Sequence, residues 1–561
     1  MSASRGSPGL KPALVLALDG ASFEVIRPLA RAGRLPHLAQ WMADGVAAPL
    51  RSTCPPVTFP AWSTFMTGLE PGQHGIFDFT QKVAGAYRLR FTHAGHRHGS
   101  SLFARTSQAG GRVLVLGMPA TFPPEPVNGL LVSGFDAPVS VGTDARSASD
   151  PEFYRQVAAR AGPWMRPELD ENAVGEEFHE RAVGTLLSRI ERKTAFALEA
   201  LGQMKARDGH RPDLMTIVFS ESDTVGHHYF RDFDPESPRH DPRASATRKG
   251  AIDSVYEKLD AACGEIRAAY GPDAFCAVVS DHGMGPAGAH VVHVNARLAE
   301  CGLLVARTKS ATRADRVARG LRDLALRTLP ATAAQRVFRQ APSAAARLES
   351  AARFGGLDWD RTLAFSEEAN TNPGVWINLR GREARGCVAS SDYERACEDV
   401  IRALLDWKLP GGEPVVARAR RREQVYTPPF ADRAPDVVFE LGLDAGYGLS
   451  LVPTPTDTAT PPPVRRLDPA EFGGGRGRGM NGTHRRDGIL IATGEGARAR
   501  FGDLETPRLR HVAPAVLAAM GLPGADKADG DGRNPGPIAP DYSPEEDARV
   551  AARLRALGYL E

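Results

Sequence analysis

Ala13-Leu-Val-Leu-Ala-Leu-Asp19 is an unbroken apolar run closed by a carboxylate. A run of that length with no polar alternation reads as a strand buried on both faces. Three more follow: Arg112-Val-Leu-Val-Leu-Gly117, Leu214-Met-Thr-Ile-Val-Phe219 and Ala274-Phe-Cys-Ala-Val-Val279. Residues 180–201 and 251–269 lie between them and carry Ala, Leu and Arg at helical spacing. Apolar strands separated by helices predict an α/β fold with a mostly parallel central sheet flanked by helices on both faces. Gly488-Ile-Leu-Ile-Ala492 is a late strand expected to rejoin that sheet.

Two regions break the alternation. Residues 305–354 are Ala/Arg-rich, with Val317, Leu321, Leu324 and Thr328 at helical spacing, and read as a helical cap insertion. Residues 388–439 hold a helix of their own at 393–405 and strand-like runs at Val415-Val416 and Val437-Val-Phe439. Residues 451–463 are Pro/Thr-rich and 473–479 Gly/Arg-rich, as expected of loops. The organisation expected is a core in two parts (12–300 and 358–522), with the cap at 301–357 between them. The second part includes a small α+β subregion, and 523–561 form a linker and a C-terminal helix.

Bulk properties narrow the function. The 561 residues exceed one ordinary domain, and 42% hydrophobic with 24% charged residues can build a buried core. A formal net charge of +2 gives no global pull toward nucleic acid. No apolar run reaches the length of a membrane span, and the polar first eleven residues do not resemble a secretory signal. Cys54, Cys263, Cys276, Cys301, Cys387 and Cys397 form no CxxC pair, so reduced thiols and a cytoplasmic location are expected.

Metal-ligand residue types sit at the strand ends. Asp19 follows the first strand, and Asp223 and His227 follow the third in Asp-Thr-Val-Gly-His. Asp281 and His282 follow the fourth in Ser-Asp-His-Gly-Met-Gly, and His484 precedes the late strand in Asn-Gly-Thr-His. Each has a plain structural reading: a turn at Asp19-Gly20, an N-cap at Asp223, a loop pair at His227-His228. Their joint placement matters more, because the carboxyl ends of parallel strands face one crevice. Three carboxylates and three imidazoles suit zinc, with manganese second. Six such side chains are too many for one tetrahedral site, so two divalent ions are implied.

A candidate nucleophile lies in Cys54-Pro-Pro-Val-Thr-Phe-Pro-Ala-Trp-Ser-Thr-Phe-Met-Thr-Gly68. Pro60 is placed to open a helix, with Thr58 just before it. A hydroxyl there sits at the positive end of a helix dipole, where an anion is favoured. Threonine needs a divalent ion to attack at neutral pH. The plain alternative is that Thr58 is only an N-cap.

Thr58…Thr67-Gly68…Pro71…His74-Gly75-Ile76, Asp223-x-x-x-His227, Asp281-His-Gly283 and Gly482-Thr-His484 together resemble the alkaline phosphatase superfamily, nearest its phosphodiesterase and nucleotide pyrophosphatase branch. That resemblance implies an alkaline phosphatase-like fold and a metal-dependent phosphoric ester hydrolase. It implies one ion on Asp223, His227 and His484, and another on Asp19, Asp281 and His282 with Thr58 Oγ. A phosphothreonine would form and then hydrolyse, the ions clamping an in-line displacement from about 4 Å apart. His74 would act behind the ligands or as structure. The sulfatase branch needs Cys or Ser where Thr58 stands, so sulfatase chemistry is disfavoured. The nucleotide pyrophosphatases commonly carry an Asn shortly after His-Gly-Ile, where this chain has Phe77-Asp78-Phe79. That string is similar to a bacterial and archaeal group of predicted phosphohydrolases or phosphomutases.

The expected partner is a small phosphate-ester substrate, most readily a diester. A phosphomonoesterase or phosphomutase with the same metals is the alternative, and a metal-stabilised binding protein without catalysis the third reading. Residues 305–354 hold ten arginines and Lys309 against Asp315, Asp323 and Glu349. They could contact an anionic surface, or form a solvated arginine face. No nucleic-acid signature is evident, and no oligomeric state is implied.

Overall fold

The computed structural model describes residues 9–137, 145–165, 176–306, 354, 356–369, 371–455, 461–473, 479–524 and 542–556. Its main sheet has seven strands: β1 (Ala13–Leu18), β2 (Val46–Arg51), β3 (Val113–Met118), β4 (Gly129–Ser133), β5 (Leu214–Phe219), β6 (Phe275–Val279) and β7 (Asp487–Thr493), in the order β2-β7-β6-β1-β5-β3-β4. β6, β1, β5, β3 and β4 are mutually parallel. β7 runs antiparallel to both β6 and β2.

β1 shows why the sheet forms. All six of its residues are fully buried. Leu14, Leu16 and Leu18 enter one apolar cluster, while Ala13, Val15 and Ala17 enter another on the opposite face. Period two sends alternate side chains to opposite faces. The first face is covered by helices that include Glu176–Asp208, Glu221–Phe233 and Ala251–Tyr270. The second is covered by helices that include Thr58–Thr67, Val512–Ala519 and Pro544–Ala556. Burial at about 25 cal/mol per Å² of apolar surface makes this double cover the main source of stability.

A second, four-stranded antiparallel sheet orders Ala364–Phe365, Gly374–Ile377, Val437–Leu441 and Val416–Arg421, against the helix Tyr393–Leu405. It has its own apolar cluster. The strand Gly283–Val292 leaves the site outward, paired with Tyr447–Leu451, Val464–Arg466 and Gly482–Arg485.

Two expectations need correction. The helix expected to open at Pro60 opens at Thr58, with Val57 as its extended cap residue. Pro60 is then the third helical residue, where its missing N–H costs nothing because the first turn has no intrahelical acceptors. The helix expected over 180–201 runs over Glu176–Asp208. The cap expected at 301–357 lies outside the described residues from 307 to 353, as do parts of the 451–463 and 473–479 loops and most of the 523–544 linker. All six cysteines are unpaired, and no described helix is long and apolar enough to cross a membrane.

Candidate active site

Asp19 follows β1 directly, its N–H donating to the Phe219 carbonyl at the end of β5 (2.9 Å). Asp223 and His227 lie one turn apart on the helix Glu221–Phe233, which starts just past β5. Asp281 and His282 follow β6. β7 is antiparallel, so its first residue, Asp487, lies beside Arg51 at the end of β2, and His484 arrives at the same edge. Thr58 comes from the opposite face of the sheet to Asp223 and His227. Elements from both faces thus meet at the carboxyl end of the parallel strands.

The side chains converge. His227 Nε2 lies 3.4 Å from Asp223 Oδ1 and 3.0 Å from His484 Nε2, and His484 Nε2 is 3.6 Å from Asp223 Oδ1. His282 Nε2 lies 3.3 Å from Asp281 Oδ2 and 3.7 Å from Asp19 Oδ1. His282 joins the two groups: its ligand atom is within 4.8 Å of those of Asp223 and His484 as well as those of Asp19 and Asp281. Its ring stacks on that of His484 at 3.6 Å.

Each imidazole is oriented by a backbone carbonyl. Nδ1 of His227 meets Gly482 O (3.0 Å), Nδ1 of His484 meets Pro56 O (2.9 Å) and Nδ1 of His282 meets Gly283 O (3.1 Å). A carbonyl only accepts, so each Nδ1 carries a proton and each Nε2 is turned toward the cluster. The Nε2 atoms of His227 and His484 face each other at 3.0 Å, close enough to share one cation, a proton or a metal ion. Fixing the outer nitrogen in this way is how metal-binding histidines are usually held.

Thr58 is fully buried, and its Oγ1 has no hydrogen-bond partner among the described residues. The contacts on either side of it both reach the ligand cluster. Pro56 O receives the His484 proton, and Trp62, four residues on along the same helix face, donates Nε1–H to Asp19 Oδ2 (3.3 Å). Asp19 Oδ1, Asp281 Oδ2 and His282 Nε2 are likewise buried without a partner among the described residues. Gly20 N donates to Asp281 Oδ1 (3.1 Å). Gly20 has φ +63°, and a Cβ there would come within 2.8 Å of Asp223 Oδ1, so only glycine lets Asp223 close on Asp19.

The electrostatics follow from crowding. Burial, then repulsion from Asp281 and Asp223, raises the Asp19 carboxyl well above its ordinary range. Burial pushes Asp281 up to about 7. Burial would raise Asp223 too, but His227, His484 and His282 outweigh it and hold that carboxyl low. Burial depresses His227 and His282, keeping both neutral and available as ligands.

His74 is not among the converging groups. It is fully buried, its Nδ1 accepts from Ile76 N (3.1 Å), and its Nε2 meets Thr64 Oγ1 (3.0 Å). Burial, with Arg97 nearby, lowers it to about 3, so it is a neutral brace between the nucleophile helix and the next turn. His228 sits on the helix that carries His227, not in a loop, and its ring neighbours are Phe178, His179 and Tyr229. Sequence reading missed Trp62 and Gly20. The four-residue spacing from Thr58 could have flagged Trp62, whereas nothing local marks Gly20 apart from its place beside Asp19.

Three comparisons with known proteins bear on this chain. No curated protein matches it in sequence. Among solved structures, phosphonoacetate hydrolase from Sinorhizobium meliloti 1021, in complex with phosphonoformate, is similar at 16% identity and TM-score 0.47, over 91% of this chain and 97% of that one. Human ectonucleotide pyrophosphatase/phosphodiesterase 5 is similar at 12% identity and TM-score 0.43, over 92% of this chain and 96% of that one. The family model for type I phosphodiesterase/nucleotide pyrophosphatase matches residues 13–447, which hold Asp19, Thr58, Asp223, His227, Asp281 and His282. The chain belongs to the type I phosphodiesterase/nucleotide pyrophosphatase family of phosphoric ester hydrolases.

Proposed function

We propose that this chain cleaves small phosphodiesters with two divalent metal ions and Thr58 as nucleophile. The observation that carries the reading is a set of buried polar atoms turned toward one cluster, none with a hydrogen-bond partner among the described residues: Asp19 Oδ1, Thr58 Oγ1, Asp281 Oδ2 and His282 Nε2. Leaving one such polar group unsatisfied costs about 1–3 kcal/mol, and more when it is charged. Four in one place fit a site built for cations. The mixed carboxylate and imidazole donors fit zinc first and manganese second. Asp19, Asp281 and His282 would hold one ion beside Thr58, and Asp223, His227 and His484 the other.

When bound, the ions supply positive charge that makes the Thr58 hydroxyl acidic and neutralises the phosphoryl oxygens. The chain's own residues do the rest. The first N–H groups of the helix Thr58–Thr67 have no intrahelical acceptor and can donate to the phosphoryl group. Thr58 Oγ loses its proton and bonds to phosphorus as the bond to the leaving oxygen breaks, and the departing alcohol takes up a proton. Water then cleaves the phosphothreonine and restores the hydroxyl. His227, His282 and His484 stay oriented through their Nδ1 protons.

A panel of nitrophenyl phosphate diester, monoester, phosphonate and sulfate, assayed after chelation and with zinc or manganese restored, tests the reading. The diester should turn over fastest, and only with metal. Preference for the monoester would support the phosphomonoesterase or phosphomutase alternative, and full activity after exhaustive chelation would reject the mechanism.

The raised carboxyls give a separate expectation. An Asp281 carboxyl held near 7 in the fold, against an ordinary 3.8, stabilises the metal-free protein fully below about pH 4. That contribution is lost as pH rises through about 7. Chelated protein should therefore melt at a lower temperature near pH 8 than near pH 5, and added zinc should remove most of the difference. A melting temperature that is flat or rising with pH after chelation would show these carboxylates to be compensated without metal.

A further inference from the structure

The strand that delivers His484 is only Gly482–Arg485, paired antiparallel with Gly283–Pro286 in the register Gly482↔Pro286 and His484↔Met284. A short strand holds register weakly, and a slip of one residue turns every side chain to the other face. Such a slip would replace His484 by Thr483 or Arg485. Something outside the ladder has to fix it.

Arg239, in the segment after the helix Glu221–Phe233, is fully buried at the end of this ladder. Its Nε donates to Gly288 O (2.7 Å), and its Nη1 donates to Met480 O (3.0 Å) and Asn481 Oδ1 (3.4 Å). Continued past Gly482↔Pro286, the register brings Met480 opposite Gly288. The guanidinium therefore spans the next rung of the ladder, in place of the direct backbone pairing. Asn481, also buried, completes the attachment. Its N–H donates to His227 O (2.9 Å), its Nδ2 donates to His228 O (3.2 Å), and its carbonyl accepts from Ala287 N (2.9 Å). The approach is close: a Cβ at Gly482 would come within 2.4 Å of Gly226 O.

We propose that Arg239 and Asn481 are positioning residues that lock the register of the His484 strand against the His227 helix, and so set the His227–His484 half of the metal site. This rests on the two-metal reading. Neither residue is among the proposed ligands, and the inference concerns one half of the site only. Asp19 and Asp281 follow β1 and β6, and the clamp grips the strand Gly283–Val292 at Ala287 and Gly288, away from its junction with His282.

The test is zinc stoichiometry and affinity, by competition with a chromophoric chelator, on the full chain and three variants: Arg239→Lys, Asn481→Ala and Asn378→Ala. Lysine keeps a charge but cannot fork across two carbonyls. Asn378 is a fully buried asparagine, just past the strand Gly374–Ile377 of the second sheet, whose amide donates to Trp359 O and Thr362 O, and it serves as a control for general loosening. Wild type should bind two ions. Arg239→Lys and Asn481→Ala should weaken one of them by about 10–100-fold and leave the other unchanged. Asn378→Ala should lower the melting temperature without changing either affinity. Asn481→Ala keeps both backbone bonds of that residue and decides the matter if Arg239→Lys does not fold. Unchanged affinities in Asn481→Ala, or equal weakening of both ions, overturn the clamp. A wild type that binds fewer than two ions overturns the two-metal reading, and the clamp with it.

Discussion

Thr58→Ala is expected to lower diester turnover by about a thousandfold or more while leaving metal content intact. The loss is large because nucleophile and metals are expected to act as a unit, and the other hydroxyls on the helix Thr58–Thr67 are badly placed: Ser63, five residues on, lies about 140° round the helix from Thr58. Thr64 is tied to His74, and Thr67 Oγ1 donates back to Ser63 O. Stability should fall by about 1 kcal/mol, from the buried methyl that leaves with the hydroxyl, since the hydroxyl itself makes no hydrogen bond within the described residues. A capping role predicts a similar loss of stability but turnover kept, so turnover separates the two. The structure already weakens that role, because the cap position is Val57 and Thr58 is inside the first turn. Thr58→Ser should retain appreciable activity. Thermal melts beside turnover numbers decide, and a stable, metal-replete, fully active alanine variant would mean that water attacks directly.

The sheet's centre was legible because its strands are apolar without interruption. β1, β3, β5 and β6 all lie where their runs predicted. Among the elements that escaped, two show the physical reason. β2 is Val-Ala-Ala-Pro-Leu-Arg at the edge of the sheet, where one-sided burial removes the apolar signature and a proline is tolerated. The strand Gly283–Val292 carries Gly283, Gly285 and Gly288, which read as loop. Gly283 is there because neighbouring backbone comes too close for a side chain: a Cβ would fall within 2.2 Å of Asp487 O. The direction of β7 was not legible either, since it depends on how the chain returns from the second sheet.

Residue types able to bind a metal could be read from the sequence, whereas their grouping came from the family resemblance and not from spacing. Spacing alone cannot show that His282 lies between the two carboxylate groups, or that three backbone carbonyls set the imidazole tautomers. Contacts of that kind join residues hundreds of positions apart, such as His484 to Pro56, and leave no local pattern. A helix beside Thr58 was legible but its start was not, because Pro60 fits the third helical position as well as the first.

Asp281→Asn should have the second large effect, and one with opposite signs in the two states of the protein. Asparagine keeps the shape and the oxygen that accepts from Gly20 N, but loses the negative charge. Metal content should fall from two ions toward one per chain, and turnover by about a thousandfold or more, as expected when a group acting in concert with the nucleophile is lost. In the metal-loaded state the variant should melt below wild type, because a ligand that stabilises the bound form is gone. After chelation the order should reverse near pH 8. There the wild-type chain must either ionise Asp281 beside Asp19 and Asp223 or hold a proton that the unfolded chain would release, and both weaken the fold. The variant does neither. Near pH 3, below the ordinary 3.8, the wild-type carboxyl is largely protonated in both states and the difference should nearly vanish. Melting curves of both proteins with zinc and with chelator, at the two pH values, give the four comparisons. A chelated variant less stable than wild type near pH 8 would show that Asp281 is a structural acceptor, with no charge held in reserve for a cation.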